Sequence, residues 1–208
     1  GKQPSWQVYV PENYSADSTE GFGLIVYLQN GASGALPDPA FRDVLKAERM
    51  IYISPNKAGG WIPPWFRHAL AVEAAELIRE RYRIDSEHIY VGGVGPGGVT
   101  ATHAMINHSD VFQGGFPCGK AAGAFSIPHV RTGGVILALT KQNHRFVFYA
   151  GDEDPGRDAL EKMERKYVAE GFSRVELQVA KGVMNSKPDA EAFSKIISSL
   201  KALPSYGK

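Results

Sequence analysis

An apolar run, Ile89-Tyr90-Val91, leads into Gly92-Gly93-Val94-Gly95-Pro96-Gly97-Gly98. Where a strand ends in two glycines flanking a central serine, that serine is held above the sheet as an exposed nucleophile. The flanking glycines here are Gly93 and Gly97, but the centre of the turn is Gly95, which brings no nucleophile. The next residue is Pro96, and proline has no backbone N–H to offer a developing oxyanion. The spacing of a hydrolytic turn is present without two of the groups its chemistry uses.

Other reactive residue types are scattered. Cys118, in Phe116-Pro117-Cys118-Gly119, has only Lys120 as a neighbouring cation, so it reads as a small buried residue rather than a displaced nucleophile. Asp152, Glu153 and Asp154 gather carboxylates, but without ligand spacing they predict neither a metal nor a cofactor. The histidines, His68, His88, His103, His108, His129 and His144, carry no partner motif and read as surface or packing residues. The segment from Lys57 to Phe66 follows a strand, which in a parallel sheet puts it at the carboxyl edge, where ligands bind. Its Trp61, Trp65 and Phe66 are open to two readings: a wall for an apolar or sugar-like ligand, or staples that fix the loop to the core.

The elements that must position these residues alternate in type. Trp6–Val10 reads as an edge strand, and Gly23–Leu28 and Met50–Ser54 as apolar runs of strand length, as expected where both sheet faces are covered. Phe41–Glu48 reads as a short helix, and Arg67–Tyr82 repeats apolar residues at helical spacing. Glu87–Val91 feeds the turn, Gly97–Asn107 is the helix after it, and Phe112–Cys118 holds the next strand. Residues 119–134, rich in small residues, receive no assignment. Arg145–Ala150 and Val175–Val179 read as strands, Asp158–Glu170 and Asp189–Leu200 as helices. This alternation predicts βαβ units and a mostly parallel sheet of at most about eight strands. With no repeat or linker, residues 1–208 are expected to form one domain.

Composition narrows the partners. Lys+Arg number 23 and Asp+Glu 22, so charge gives no support to a nucleic-acid or anionic-membrane partner. Hydrophobic residues make up 43% and charged residues 22%, ordinary for a soluble globular chain. No run of about 18 apolar residues predicts a membrane span. The lone Cys118 cannot form an internal disulfide. The chain opens on Gly1 rather than Met, which we read as an expectation of trimming and export, with the compartment otherwise open.

Over about residues 6–200 the chain resembles the small esterases of the α/β-hydrolase superfamily, in particular the polyhydroxybutyrate-depolymerase and feruloyl-esterase-like group. The resemblance rests on Val8-Tyr9-Val10-Pro11-Glu12-Asn13-Tyr14, the Leu24–Gly34 strand and loop, Tyr82–Gly93, Ser109-Asp110-Val111-Phe112-Gln113-Gly114, and Gly151-Asp152-Glu153-Asp154-Pro155, in that order. It implies a three-layer α/β-hydrolase fold without a large lid domain. It also implies a nucleophile at Gly95, an acid at Asp154 and a base in the Gly182–Pro188 loop, where Asn185 stands in place of histidine. The group's order is nucleophile, acid, histidine, yet every histidine of this chain precedes Asp154. On the oxyanion side, Gln29-Asn30 replaces the usual His-Gly, beside Pro96.

The reading from sequence is a degenerate serine-esterase homologue with vestigial positions Gly95, Asp154 and Asn185. No hydrolysis by the Ser-His-Asp route is expected, and a small carbohydrate or ester-like ligand is expected near Gln29, Asn30, Trp61, Trp65 and Phe66. One alternative is an enzyme with a relocated mechanism using Asp152 or Asp154. Another is a structural or protein-interaction role, with the protein partner open.

Overall fold

The computed structural model describes residues 4–31, 33–59, 61–123 and 134–202. Gly60 and residues 124–133, which include His129 and most of the unassigned stretch, lie outside the described residues.

Along the chain run β1 (Trp6–Tyr9), β2 (Phe22–Leu28), α1 (Pro39–Ala47), β3 (Met50–Pro55), α2 (Pro64–Arg81), β4 (Ile84–Val94) and α3 (Pro96–Asn107). They are followed by β5 (Gly114–Cys118), α4 (Gly134–Asn143), β6 (Arg145–Gly151), α5 (Arg157–Ala169), β7 (Val175–Ala180) and α6 (Ala190–Lys201). The strands form one sheet in the order β1-β3-β2-β4-β5-β6-β7. Only β1 is antiparallel to its neighbour.

Every residue of β2 is buried, because layers cover both faces of the sheet. Leu24, Val26 and Leu28 point into one core with Leu70, Ala74, Ala101, Met105 and Leu160, from α2, α3 and α5. Ile25 and Tyr27 point into the other, with Phe41, Leu45, Phe193 and Ile197 from α1 and α6. This period-2 division follows from strand geometry. A continuous apolar run, rather than an alternating one, was the sequence signal for it.

Three helices, α1, α2 and α3, carry proline in their first turn, where an N–H would have no helical partner. That preference explains the main boundary correction. The sequence places Trp65 and Phe66 in a loop, but α2 begins at Pro64 and takes both into its first turn. At β5 the predicted start at Phe112 moves to Gly114, because Val111 and Phe112 donate to the His108 carbonyl in a turn. Helix α4 has no counterpart in the sequence reading. Its apolar residues form the continuous run Val135–Leu139 rather than a helically spaced stripe, and in the fold Val135, Ile136 and Leu139 are exposed while Thr140 is buried.

Candidate functional site

The glycine turn after β4 forms a sharp strand-to-helix elbow. Gly95 sits at φ 57° and ψ −120° between the end of β4 and the start of α3, and its N–H donates to the Cys118 carbonyl at 2.9 Å. A Cβ built on Gly95 meets nothing within 4 Å. The flanking glycines are different: a Cβ on Gly93 or Gly97 would run into the Leu28 carbonyl oxygen. These two glycines let α3 close on β2, whereas Gly95 relieves only backbone strain. Pro96 takes the first position of α3, so its nitrogen offers no proton to the space above the turn.

Asp154 lies in the loop between β6 and α5. Its Oδ1 accepts from Gly156 N–H at 2.6 Å and its Oδ2 from Ser186 Oγ–H, also at 2.6 Å. The side chain that meets the acid is thus Ser186, not Asn185. Asp152 Oδ1 accepts from the N–H groups of Gly182 and Val183 and pins the start of this loop. Asn185 is exposed and spends its Oδ1 on Lys187 N–H at 3.0 Å. Gly119, at φ 71°, makes room on the other side: a Cβ there would stand 2.8 Å from Ser186 Cβ. Ser186 is only 3% exposed, and its sequence neighbourhood carries no signal that separates it from Asn185.

A cavity of about 280 Å³ opens beside the elbow, at the carboxyl ends of β2, β3 and β4. Val94, Tyr27, Tyr52 and Phe41 form its inner wall, and Gln29 and Asn30 its polar side. Lys187 Nζ and Asp38 Oδ2 pair across its margin at 2.6 Å. Burial pushes the phenols of Tyr27 and Tyr52 up from their ordinary value, so both stay protonated at neutral pH. Gln29 Nε2 approaches Tyr52 Oη at 3.5 Å. The cavity offers apolar contact plus neutral donors and acceptors, the usual makeup of a small-molecule site.

Trp61, Trp65 and Phe66 do not line this cavity. Trp61 is 69% exposed and Trp65 70%, so they do not staple the loop to the core. Trp65 and Phe66 meet edge to face, with centroids 5.9 Å apart. Cys118 is fully buried, and burial pushes its thiol well above the ordinary range, which suits packing and not attack. Among the described residues no group of three or more His, Cys, Asp or Glu could hold a metal ion. None of their helices is long and apolar enough to cross a membrane.

No protein-family model and no curated protein matches the sequence. Solved structures do match in shape. Est1E from Butyrivibrio proteoclasticus superposes with a TM-score of 0.65 at 12% identity, covering 93% of this chain and 91% of that one. A ferulic acid esterase gives 0.66 at 16%, covering 93% and 89%. The S-formylglutathione hydrolase of Staphylococcus aureus gives 0.67 at 12%, covering 94% and 91%. Identities this low speak for architecture and not for activity. With the mostly parallel sheet and the glycine turn after β4, they establish that the chain has the α/β-hydrolase fold.

Proposed function

We propose that this chain is a non-hydrolytic relative of the small serine esterases and binds a small neutral ligand, carbohydrate or ester-like, in the former catalytic cleft. The observation that carries the reading is the elbow itself. Gly95 holds the nucleophile's backbone conformation with open space above it, yet nothing at that position can attack. Pro96 removes one oxyanion donor, and Ser186 occupies the contact with Asp154 that a catalytic imidazole would make. Acyl transfer needs a nucleophile, a base and oriented donors together. Loss of a nucleophile–base unit costs on the order of 10⁶ in rate, and one oxyanion donor about 10²–10³.

The Ser186–Asp154 pair does not replace the missing unit. A carboxylate is far too weak a base to hold an alcohol's proton, and general bases work best when matched to the operating pH. Ser186 is also buried, whereas a nucleophile must reach its substrate.

Purified protein is expected to leave p-nitrophenyl acetate and butyrate at the buffer rate. Ligand-observed NMR with neutral sugars and small esters is expected to find binders that Gln29→Ala or Tyr52→Phe weakens. Turnover at ordinary esterase rates would overturn the non-hydrolytic reading. Binders indifferent to both substitutions would overturn the location. A second reading, protein interaction, draws on the exposed Trp61 and Trp65, since large exposed apolar groups mark contact surfaces.

A further inference from the structure

The seam between α2 and α3 holds four basic side chains that the cleft does not use. His68 on α2 and His103 on α3 have ring centroids 5.2 Å apart. His108, the C-cap of α3, lies 6.3 Å from His68. Arg67 is 3% exposed and His68 7%. Arg67 Nε donates to the Ala58 carbonyl at 2.6 Å. Its Nη2, together with His68 Nε2 and His103 Nδ1, is shielded from solvent and reaches no hydrogen-bond partner among the described residues.

The groups that act most strongly on His68 are His103, His108 and Arg67, and on His103 it is Arg67. Helix α2 also packs on β2, β3 and β4, which turn Leu24, Val26, Ile51, Ile53 and Val91 into the same core. His68 is buried and His103 partly buried, so a further positive charge here would be largely desolvated beside Arg67, and burying an unpaired charge is costly. The seam therefore closes best while the imidazoles are neutral, His68 above all.

We propose that this cluster is an acid-operated latch: at neutral pH it holds the amino-terminal half of α2 on α3, and in mild acid it releases that half, moving Trp65 and Phe66 relative to the elbow helix. The link to the aromatic segment is the Arg67–Ala58 bond, which ties the turn before Trp61 to α2. The latch does not depend on what the cleft binds.

Burial lowers His103 and takes His68 down to about 4, against about 6.5 for a free imidazole. The released state binds more protons, so closure weakens as pH falls through 6.5 and its full loss is reached below about 4. For His68 alone the opening constant should rise about 10- to 100-fold between pH 7 and pH 4.5.

Hydrogen exchange of the whole chain, corrected for the intrinsic pH dependence of amide exchange, reads this directly. Opening at Arg67–Ala71 is expected to rise by that factor while β2 and β4 stay protected. The rise is expected to vanish in His68→Gln/His103→Gln. An acid response spread equally over the sheet, or one unchanged in the double variant, would overturn the latch. Should the double variant fail to fold, NMR titration of the wild-type imidazoles decides. Resonances of His68 and His103 that stay neutral to pH 5 support it, and titration near 6.5 with the packing intact overturns it.

Discussion

Gly95→Ser separates the shape of the elbow from its chemistry. A Cβ at this position meets nothing within 4 Å, so the substitution carries no steric penalty. The remaining cost is the φ of 57°, about 1–3 kcal/mol for a residue other than glycine. Gly95→Ala should cost the same and serves as the control. Neither should turn over p-nitrophenyl butyrate above buffer. The new hydroxyl would have no imidazole beside it, because the side chain on Asp154 is Ser186, and Pro96 still withholds a donor. The missing groups act as one unit, so restoring one of them should recover almost nothing. Adding Ser186→His offers Asp154 an imidazole, with Asn185→His as the comparison the sequence motif would suggest. Adding Pro96→Ala returns the N–H, worth about 10²–10³ in rate. Activity is expected only when nucleophile, base and donor are present together, read as kcat/KM and as a burst of p-nitrophenol. If Gly95→Ser alone exceeds Gly95→Ala by more than about tenfold, a base stands near the elbow and the reasoning fails. If it destabilises the fold by more than about 3 kcal/mol in urea, the space above the turn is not open.

The other expectations concern what each element holds. Gly97→Ala puts a methyl group against the Leu28 carbonyl and should cost more than about 3 kcal/mol, well beyond Gly95→Ala, in urea unfolding. Ser186→Ala removes the 2.6 Å bond to Asp154 and should cost about 1.5–3 kcal/mol. Asn185→Ala, whose partner is the exposed Lys187 N–H, should cost less than about 1 kcal/mol; equal losses would contradict the placement of these two side chains. Because burial raises the Cys118 thiol, a disulfide reagent at pH 8 should leave native protein unmodified and titrate one thiol per chain in denaturant. Rapid native labelling would show that Cys118 is accessible.

Much of the fold was legible because the signals were local. Continuous apolar runs such as Leu24–Leu28 and Phe146–Ala150 announce strands covered on both faces, and glycines at 93, 95 and 97 announce the elbow. Prolines misled: at Pro63–Pro64 a loop was expected, yet Pro64 opens α2. Helix α4 was illegible because Val135–Leu139 is a continuous apolar run with no helical spacing. At the site, the absence of a nucleophile at Gly95 and of a donor at Pro96 could be read directly, since each is a property of one residue. The partner of Asp154 could not, because it is set by a contact across 32 residues. That contact depends on how Asp152 pins the Gly182 turn and on the gap left by Gly119. A motif that aligns Asn185 with a histidine cannot register a one-residue rotation of a loop.

The chain alone thus decides the succession of strands and helices apart from α4, the glycine turn, and which reactive groups are absent from it, for these follow from residue type and periodicity. The tertiary structure alone decides that Ser186 faces Asp154, that Trp61 and Trp65 stand in solvent, and that His68, His103 and Arg67 meet in one seam. Those outcomes depend on side-chain direction and on neighbours distant in sequence, and no local pattern encodes either.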